Sequence, residues 1–532
     1  MNNALRIFSE TDFILNMFNP LSWYGKVYKQ HISYFSSVNE LNKEFDLIET
    51  VKSNLFKDDF KVSKIQYHLS RIPQLPEFKE QYSSPELFNF KKFLINYSAI
   101  NRLITKEIID LFKFSFELEE LKSSLDIEEK NEETFYINEA YSDNLKLTRS
   151  EIHKVNKELA QVKDSVHKNL LEKFNLDFRF REFLLVNNTV AREFNSEQIY
   201  VEAYDNKQLV VKPVYGKEYI DLTAQKEVLF TKEKDIETEI IFSISQKINQ
   251  HREALEDKIN AVALFDRIFA KTYLAVKTRS VRPQISNGKE IELKGGRLLS
   301  LESKCESRNV TYHPLDLKLD MNVNVLHGSN MSGKTVTLQT LSFFQVLAQL
   351  GFFVPAESFS THLFNSIFYI GENREEKTDG LSSYGLEIEQ LINAVKNSDG
   401  TKLLILDEPA RTTNSTEAVA LLSALIEYFG SNEKIQAFVS THYTSLPKLP
   451  NVECFKMKGI NWQNMGSNEF SESEELADKI AVIHNSITYK VEKEVENNSR
   501  NNDAIKIAKI LGLDKDIIQL AEKYIEDGDE KL

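Results

Sequence analysis

The chain is 532 residues long, more than one hydrophobic core usually supports, and its 41% hydrophobic and 27% charged residues make an ordinary soluble composition. A formal net charge of −14 argues against indiscriminate nucleic-acid binding, because neutralising phosphates takes Lys and Arg, although a local basic face stays compatible. Two cysteines far apart, Cys305 and Cys454, make no disulfide framework and fit a reducing cytoplasm, and neither a ~20-residue apolar run nor a signal peptide points to a membrane.

In chain order, residues 84 to 189 contain one proline and no glycine, and helix formers dominate. In "SAINRLITKEIIDLFKFSFELEELKSSL" the residues Ile100, Leu103, Ile104, Ile108, Leu111 and Phe112 recur at helical spacing and can share a face. Further on, Ile152, Val155, Leu159, Val162 and Val166 form a narrow apolar seam bordered by charge. That pattern predicts a long helix in a thin bundle or coiled coil, or an ordinary bundle helix. The period changes over residues 199 to 222, "IYVEAYDNKQLVVKPVYGKEYIDL", where β-branched and aromatic residues with turn signals predict short strands. A long helical pattern returns in "DIETEIIFSISQKINQHREALEDKINAVALFDRIFAKTYLAV", so a small β-containing tip is expected between two long helices. From about residue 281 strands alternate with helices, which predicts a parallel α/β sheet.

The chemistry concentrates in the last third. "VLHGSNMSGKTVTLQTL" fits G-x-x-x-x-G-K-[ST], with an apolar strand before it and a helical run after it. Such a loop turns backbone N–H groups toward phosphate oxygens at a helix start. The expected nucleotide-binding residues are Gly328, Ser329, Asn330, Met331, Ser332, Gly333, Lys334 and Thr335. Lys334 is expected to neutralise the β/γ charge of ATP, and Thr335 to ligate Mg²⁺. In "TKLLILDEPARTT" a buried strand ends in Asp407, expected to hold Mg²⁺ through water, and Glu408, placed to polarise the attacking water. "AFVSTHYTSL" is a second apolar strand, with His442 past its end as a candidate γ-phosphate sensor.

Phosphate loop, Asp-Glu strand and strand-end histidine together resemble ABC-type ATPases, and the longer segments resemble one family of them. "HGSNMSGKTVTLQTLSFFQVLAQLGFFVPAE" is similar to the MutS family's TGPNMGGKST followed by AQIG-FVPA: Asn330, Met331, Gly333, Lys334, Ala348, Gln349, Gly351, Val354, Pro355 and Ala356 match. "LSSYGLEIEQL" resembles STFMVEM, whose serine reaches the partner subunit's nucleotide. The resemblance therefore implies Ser382 and Ser383 as a signature acting in trans, beside a matching Glu387. "STHYTSL" resembles ATHYHEL, and "AIKIAKILGLDKDIIQLAEKYI" resembles the family's closing segment. The likeness is most specific from 325 to 446 and extends less closely over most of the chain. It departs where "DEPARTT" stands for DELGRGT, with Pro409, Ala410 and Thr412 replacing a leucine and two glycines, and where Ser332 replaces a loop glycine. If Trp23-Tyr24-Gly25 marks the start of the lever, mismatch-reading and connector domains are expected to be absent.

The resemblance implies a mixed fold: an α-helical lever and clamp region with a small β-tip, followed by an α/β P-loop ATPase domain of ABC type. The expected boundaries are a lever/core region at 1–172, the clamp-like tip at 173–232, a returning lever helix and junction at 233–295, and the ATPase domain with C-terminal helices at 296–532. The implied activity is hydrolysis of ATP with Mg²⁺ in a cytoplasmic homodimer, or in a heterodimer with a related chain, driving the arms. Two uses of the arms are open. One is a DNA transaction of mismatch-repair type, without direct mismatch reading and with weak DNA binding. The other is a grip on a protein partner such as a cobalamin-dependent aminomutase, reactivated by the ATPase. Acidic and basic side chains intermingle over residues 173 to 232 without the basic stripe that DNA binding favours.

Overall fold

The computed structural model describes residues 3–128, 134–191, 194–308, 310–329, 332–371, 383–396, 400–411, 413–443, 446–447, 449–460, 487–494 and 503–529. The fold is mixed α/β, and the chain divides into two units. One comprises Tyr67–Ile104 and Ile109–Ala261, the other Met1–Gln66, Thr105–Ile108 and Val262–Leu532. Among the described residues no helix is long and apolar enough to cross a membrane.

In the first unit the narrow seam becomes a helix pair. The 32-residue helix Asp143–Phe174 lays Ile152, Val155 and Leu159 against Leu229 of the 35-residue helix Gly216–Gln250. Arg149 fixes the register with polar contacts, donating to Glu233 at 2.6 Å and Glu237 at 2.7 Å. The first helix stops at Asn175, whose left-handed φ of 55° suits a C-terminal cap. Beyond it lie three antiparallel strands, β1 (Leu184–Asn187), β2 (Ile199–Ala203) and β3 (Gln208–Pro213), in the order β1-β3-β2. They close over Leu176, Phe178 and Val211, packed with Val166 and Leu170.

Three local expectations are corrected. The strand pattern read to residue 222 ends at Pro213, and Gly216, at φ 78°, opens the helix instead. The helical pattern through residues 100 to 112 breaks at Ile104, which is extended. A new helix, Lys106–Phe112, starts where the Thr105 hydroxyl accepts the Ile108 N–H at 3.5 Å, leaving Leu111 exposed. The returning pattern is likewise two helices, Gly216–Gln250 and Arg252–Lys277, interrupted at His251.

The second unit carries two sheets. The smaller joins β4 (Gln284–Ile285), β5 (Ile291–Gly296), β6 (Leu315–Leu319) and β8 (Ser358–Thr361) in the order β4-β8-β5-β6. The larger holds β7 (Val323–His327), β9 (Ser366–Ile370), β10 (Lys402–Asp407), β11 (Ile435–Thr441), β12 (Val452–Ile460) and β13 (Ile487–Lys493). Its order is β13-β12-β7-β11-β10-β9, parallel throughout except for antiparallel β13 at one edge. Both faces of the central strands are covered, which is why they read as continuous apolar runs. Leu403 and Ile405 join the core containing the helix Lys334–Gln349, whereas Leu404 and Leu406 pack with Leu422, Ile426 and Phe429 of the helix Ser415–Gly430.

Two polar clusters pin this unit. Asp266, fully buried, accepts the Ser22 hydroxyl at 2.6 Å and the backbone N–H groups of Leu21 and Ser22. Gly25 sits so close to that carboxylate that a Cβ would meet Oδ2 at 2.2 Å, so no larger residue fits there. Glu44 accepts from Arg267 and Lys271, each at 2.8 Å, and Lys271 also donates to the Leu350 carbonyl at 2.9 Å, just past the C-terminus of the helix Lys334–Gln349.

Candidate functional site

The glycine-bounded loop leaves the end of β7 and enters the helix Lys334–Gln349. Gly333 is the turning residue, at φ 101°, a conformation that costs an L side chain strain, and its carbonyl accepts the Thr337 N–H at 2.9 Å. The Lys334 side chain, 4% exposed, folds back over the loop, and its Nζ donates to the carbonyls of Gly328 at 2.9 Å and Ser329 at 3.1 Å. The same Nζ stands 3.1 Å from Glu408 Oε1, whose side chain is 15% exposed. Ser332 is buried and its Oγ has no hydrogen-bond partner. Among the described residues, the loop thus holds one cation and one orphaned hydroxyl beside a carboxylate pair.

The strand ends supply that pair. Thr335 Oγ1 donates to Asp407 Oδ1 at 3.2 Å, and Ser440 Oγ donates to the same oxygen at 2.6 Å. Parallel pairing of β10 with β11 sets Asp407 opposite Ser440, which is why the two meet. Burial raises the Asp407 carboxyl above its ordinary value, and the Ser440 and Thr335 hydrogen bonds pull against that rise. Ser440 also receives the Glu408 N–H, at 3.0 Å on Oγ and 3.1 Å on its carbonyl.

The next residues depart from regular backbone. Glu408 and Ala410 both take left-handed φ values, 49° and 62°. The Ala410 N–H donates to Glu387 Oε1 at 2.6 Å, so the helix Ser383–Lys396 holds the loop after Glu408. Burial raises the Glu387 carboxyl, opposed by that N–H and by the Arg411 charge.

The structure therefore brings Gly328, Ser329, Lys334, Thr335, Asp407 and Glu408 together, with Ser332 and Gly333 shaping the loop. His442 lies just beyond β11, exposed, its ring 4.2 Å from that of Tyr443. Ser383 opens its helix. Asn330, Met331 and Ser382 lie outside the described residues.

Sequence reading missed Ser440 and gave Glu387 no role. The signal for Ser440 was a hydroxyl two residues before His442 at the end of an apolar strand. For Glu387 the signal was its match to the glutamate of the family segment STFMVEM. Gln349 has a structural role beneath the site: its amide donates to the Phe364 carbonyl at 2.9 Å and accepts the Phe364 N–H at 3.0 Å. A Cβ on Gly333 would meet Tyr489 of β13 at 2.9 Å, so the edge strand also abuts the loop.

Oxygen donors from Thr335 and Asp407 suit a hard cation such as Mg²⁺. Lys334 and the loop, with the orphaned Ser332 hydroxyl, suit a phosphate chain.

Comparison with known proteins covers the same part of the chain. A family model described as MutS domain V matches residues 324–527. The DNA mismatch repair protein MutS of Caldicellulosiruptor saccharolyticus is 24% identical over 520 residues, covering 93% of this chain and 56% of that protein. The protein of the same name from Clostridium tetani is 26% identical over 306 residues, covering 57% of this chain and 33% of its own length. The chain spans about half the length, or less, of the curated relatives it matches.

Proposed function

The chain belongs to the MutS family, and from that premise we propose that it is an ATP hydrolase of P-loop, ABC type, working as a cytoplasmic dimer. The cycle of ATP binding and hydrolysis moves the helical arm with its β-tip, in a DNA transaction related to mismatch repair. The observation that carries this reading is the convergence of Lys334 and Thr335, at the helix start after the loop, with Asp407 and Glu408, at the end of β10, on one small volume.

Lys334 donates to two carbonyls and pairs with Glu408. A triphosphate offers that ammonium a stronger set of acceptors, so its binding draws Lys334 off Glu408. The freed carboxylate then polarises the water that attacks the terminal phosphorus. Thr335 and Asp407 would hold the magnesium, Asp407 through water, and the metal when bound neutralises charge building on the phosphate oxygens. Ser440 orients Asp407 and, through the Glu408 N–H, the start of the following loop. His442 senses the terminal phosphate from the end of β11, and Ser382 and Ser383 complete the partner subunit's site.

A second reading, in which the arm grips a protein such as a cobalamin-dependent aminomutase, is favoured by the tip's charges. Arg179 and Lys212 are each engaged by a neighbouring carboxylate, Asp177 and Glu202, at 2.6 Å. Cations paired in this way offer less to a phosphate backbone.

The test is steady-state ATP hydrolysis by the purified chain with and without Mg²⁺, alongside Lys334→Ala and Glu408→Gln. Magnesium-dependent turnover lost in both variants supports the reading. Turnover that persists in Lys334→Ala removes the loop from it.

A further inference from the structure

The edge of the larger sheet beside the loop carries a second cluster that plays no part in the chemistry above. His327 ends β7, Cys454 lies on the adjacent parallel strand β12, and Glu494 follows antiparallel β13. The backbone ties two of them, the Glu494 N–H donating to the Cys454 carbonyl at 2.9 Å. One imidazole nitrogen, one thiol sulfur and one carboxylate oxygen all lie within 4.8 Å of one another, and His327 Nε2 stands 3.9 Å from Glu494 Oε2. His327 is 6% exposed, and its Nδ1, the ring nitrogen other than the one beside Glu494, makes no hydrogen bond of ordinary geometry.

We propose that His327, Cys454 and Glu494 form a binding site for a borderline-soft divalent cation of the zinc class. The donor set points that way. Thiolate with imidazole selects zinc over magnesium or calcium, which prefer oxygen alone, and three protein ligands leave a fourth position for water. A tetrahedral ion with bonds of about 2.0–2.3 Å holds its ligands roughly 3.3–3.7 Å apart, so the three side chains need only a small inward shift. Cys454 is half-buried and the Glu494 side chain is 41% exposed, which gives the ion a way in from solvent. Binding displaces the thiol proton and joins β7, β12 and β13 through one centre. It also fixes the residue immediately before Gly328, where the phosphate-type loop begins. The site stands on its own ligands and does not depend on the ATPase reading.

Cobalt(II) is the probe, because thiolate coordination gives a sulfur-to-metal charge-transfer absorption that oxygen sites lack. The full chain, stripped with chelator under reducing conditions, is titrated with Co²⁺ and then with Zn²⁺. The expected result is a charge-transfer band saturating at one equivalent, bleached by Zn²⁺, and retained in Cys305→Ser and Lys334→Ala. Cys454→Ser should abolish the band. Glu494→Gln, at an exposed position that leaves the fold intact, should weaken Co²⁺ binding by about tenfold or more. Absence of the band in the parent chain overturns the proposal, and so does unchanged Co²⁺ affinity in Glu494→Gln.

Discussion

Lys334 and Glu408, 74 positions apart in the sequence, form an ion pair at 3.1 Å that is almost sealed from solvent. The lysine is thereby held by the carboxylate that the proposed mechanism makes the general base. If the loop binds a phosphate chain as proposed, Glu408 competes with it for that ammonium, and in the present arrangement each partner masks the other.

That competition gives Glu408→Gln two opposite effects. Turnover should fall by about 10²–10⁴, the usual worth of a positioned general base. ATP should bind more tightly, by roughly three- to tenfold, because Lys334 keeps only neutral acceptors, a gain of about 1 kcal/mol. Equilibrium binding of a fluorescent ATP analogue beside single-turnover hydrolysis separates the two. Weaker binding in the variant would show that Glu408 does not compete for Lys334.

Ala410 stands where the family pattern has glycine, yet keeps the left-handed φ of 62°. A left-handed L-residue costs about 1–2 kcal/mol, partly offset by the smaller conformational freedom of alanine in the unfolded chain. Ala410→Gly should therefore stabilise the chain by up to about 1 kcal/mol. Thermal unfolding followed by circular dichroism measures it, and a lower midpoint for the variant refutes the account of strain.

Glu387 offers a pH test. Burial raises its carboxyl pKa in the folded chain, so the native state holds the proton more tightly than the unfolded state does. Its contribution to stability therefore falls as pH rises from the unfolded value, about 4.3, through the raised folded value, and the full cost stands above that. Glu387→Gln retains an acceptor for the Ala410 N–H and carries no charge. It should be at least as stable as the parent at pH 7, with any advantage shrinking as the pH is lowered through that window. Urea unfolding at several pH values decides the matter; a loss of stability that is the same at every pH contradicts it.

A site completed in trans predicts complementation. Lys334→Ala subunits lack the ammonium, and Ser382→Arg subunits place a bulky cation where the serine should reach across. Each alone should be inactive, whereas a mixture should recover about one working site per heterodimer. Hydrolysis assayed across mixing ratios, together with sedimentation, tests this. Activity strictly proportional to concentration down to nanomolar chain would point to a monomeric enzyme.

Salt separates the two uses of the arm. Six phosphate contacts would give a log–log slope of roughly −5 for binding to duplex DNA. A grip on protein through a largely apolar surface would respond much less steeply. We expect weak duplex binding at physiological salt, with no more than about tenfold preference for a mismatch. Fluorescence anisotropy across a salt series, with ATP present, measures both. Nanomolar mismatch-selective binding would contradict this expectation, and no binding even at low salt would favour the protein partner.

The sequence alone determined what depends on neighbours along the chain. The spacing of Gly328, Gly333, Lys334 and Thr335 is local, and so is the apolar run that delivers Asp407 and Glu408 to a strand end. The seam of Ile152, Val155 and Leu159 follows from helical period and is buried as that period requires. Interruptions at Ile104 and His251 escaped the pattern because an apolar period continues across a break that only a few dihedral angles make. Tertiary structure decided everything that depends on which strands lie side by side. The order β13-β12-β7-β11-β10-β9 is not the order of the chain, and it is this order that sets Asp407 beside Ser440 and gathers His327, Cys454 and Glu494. Packing of helices does the same where Glu387 reaches Ala410 and where Lys271 reaches Glu44 and the Leu350 carbonyl. Side-chain hydrogen bonds act over about 3 Å, and no regularity along a sequence encodes that distance between residues hundreds of positions apart.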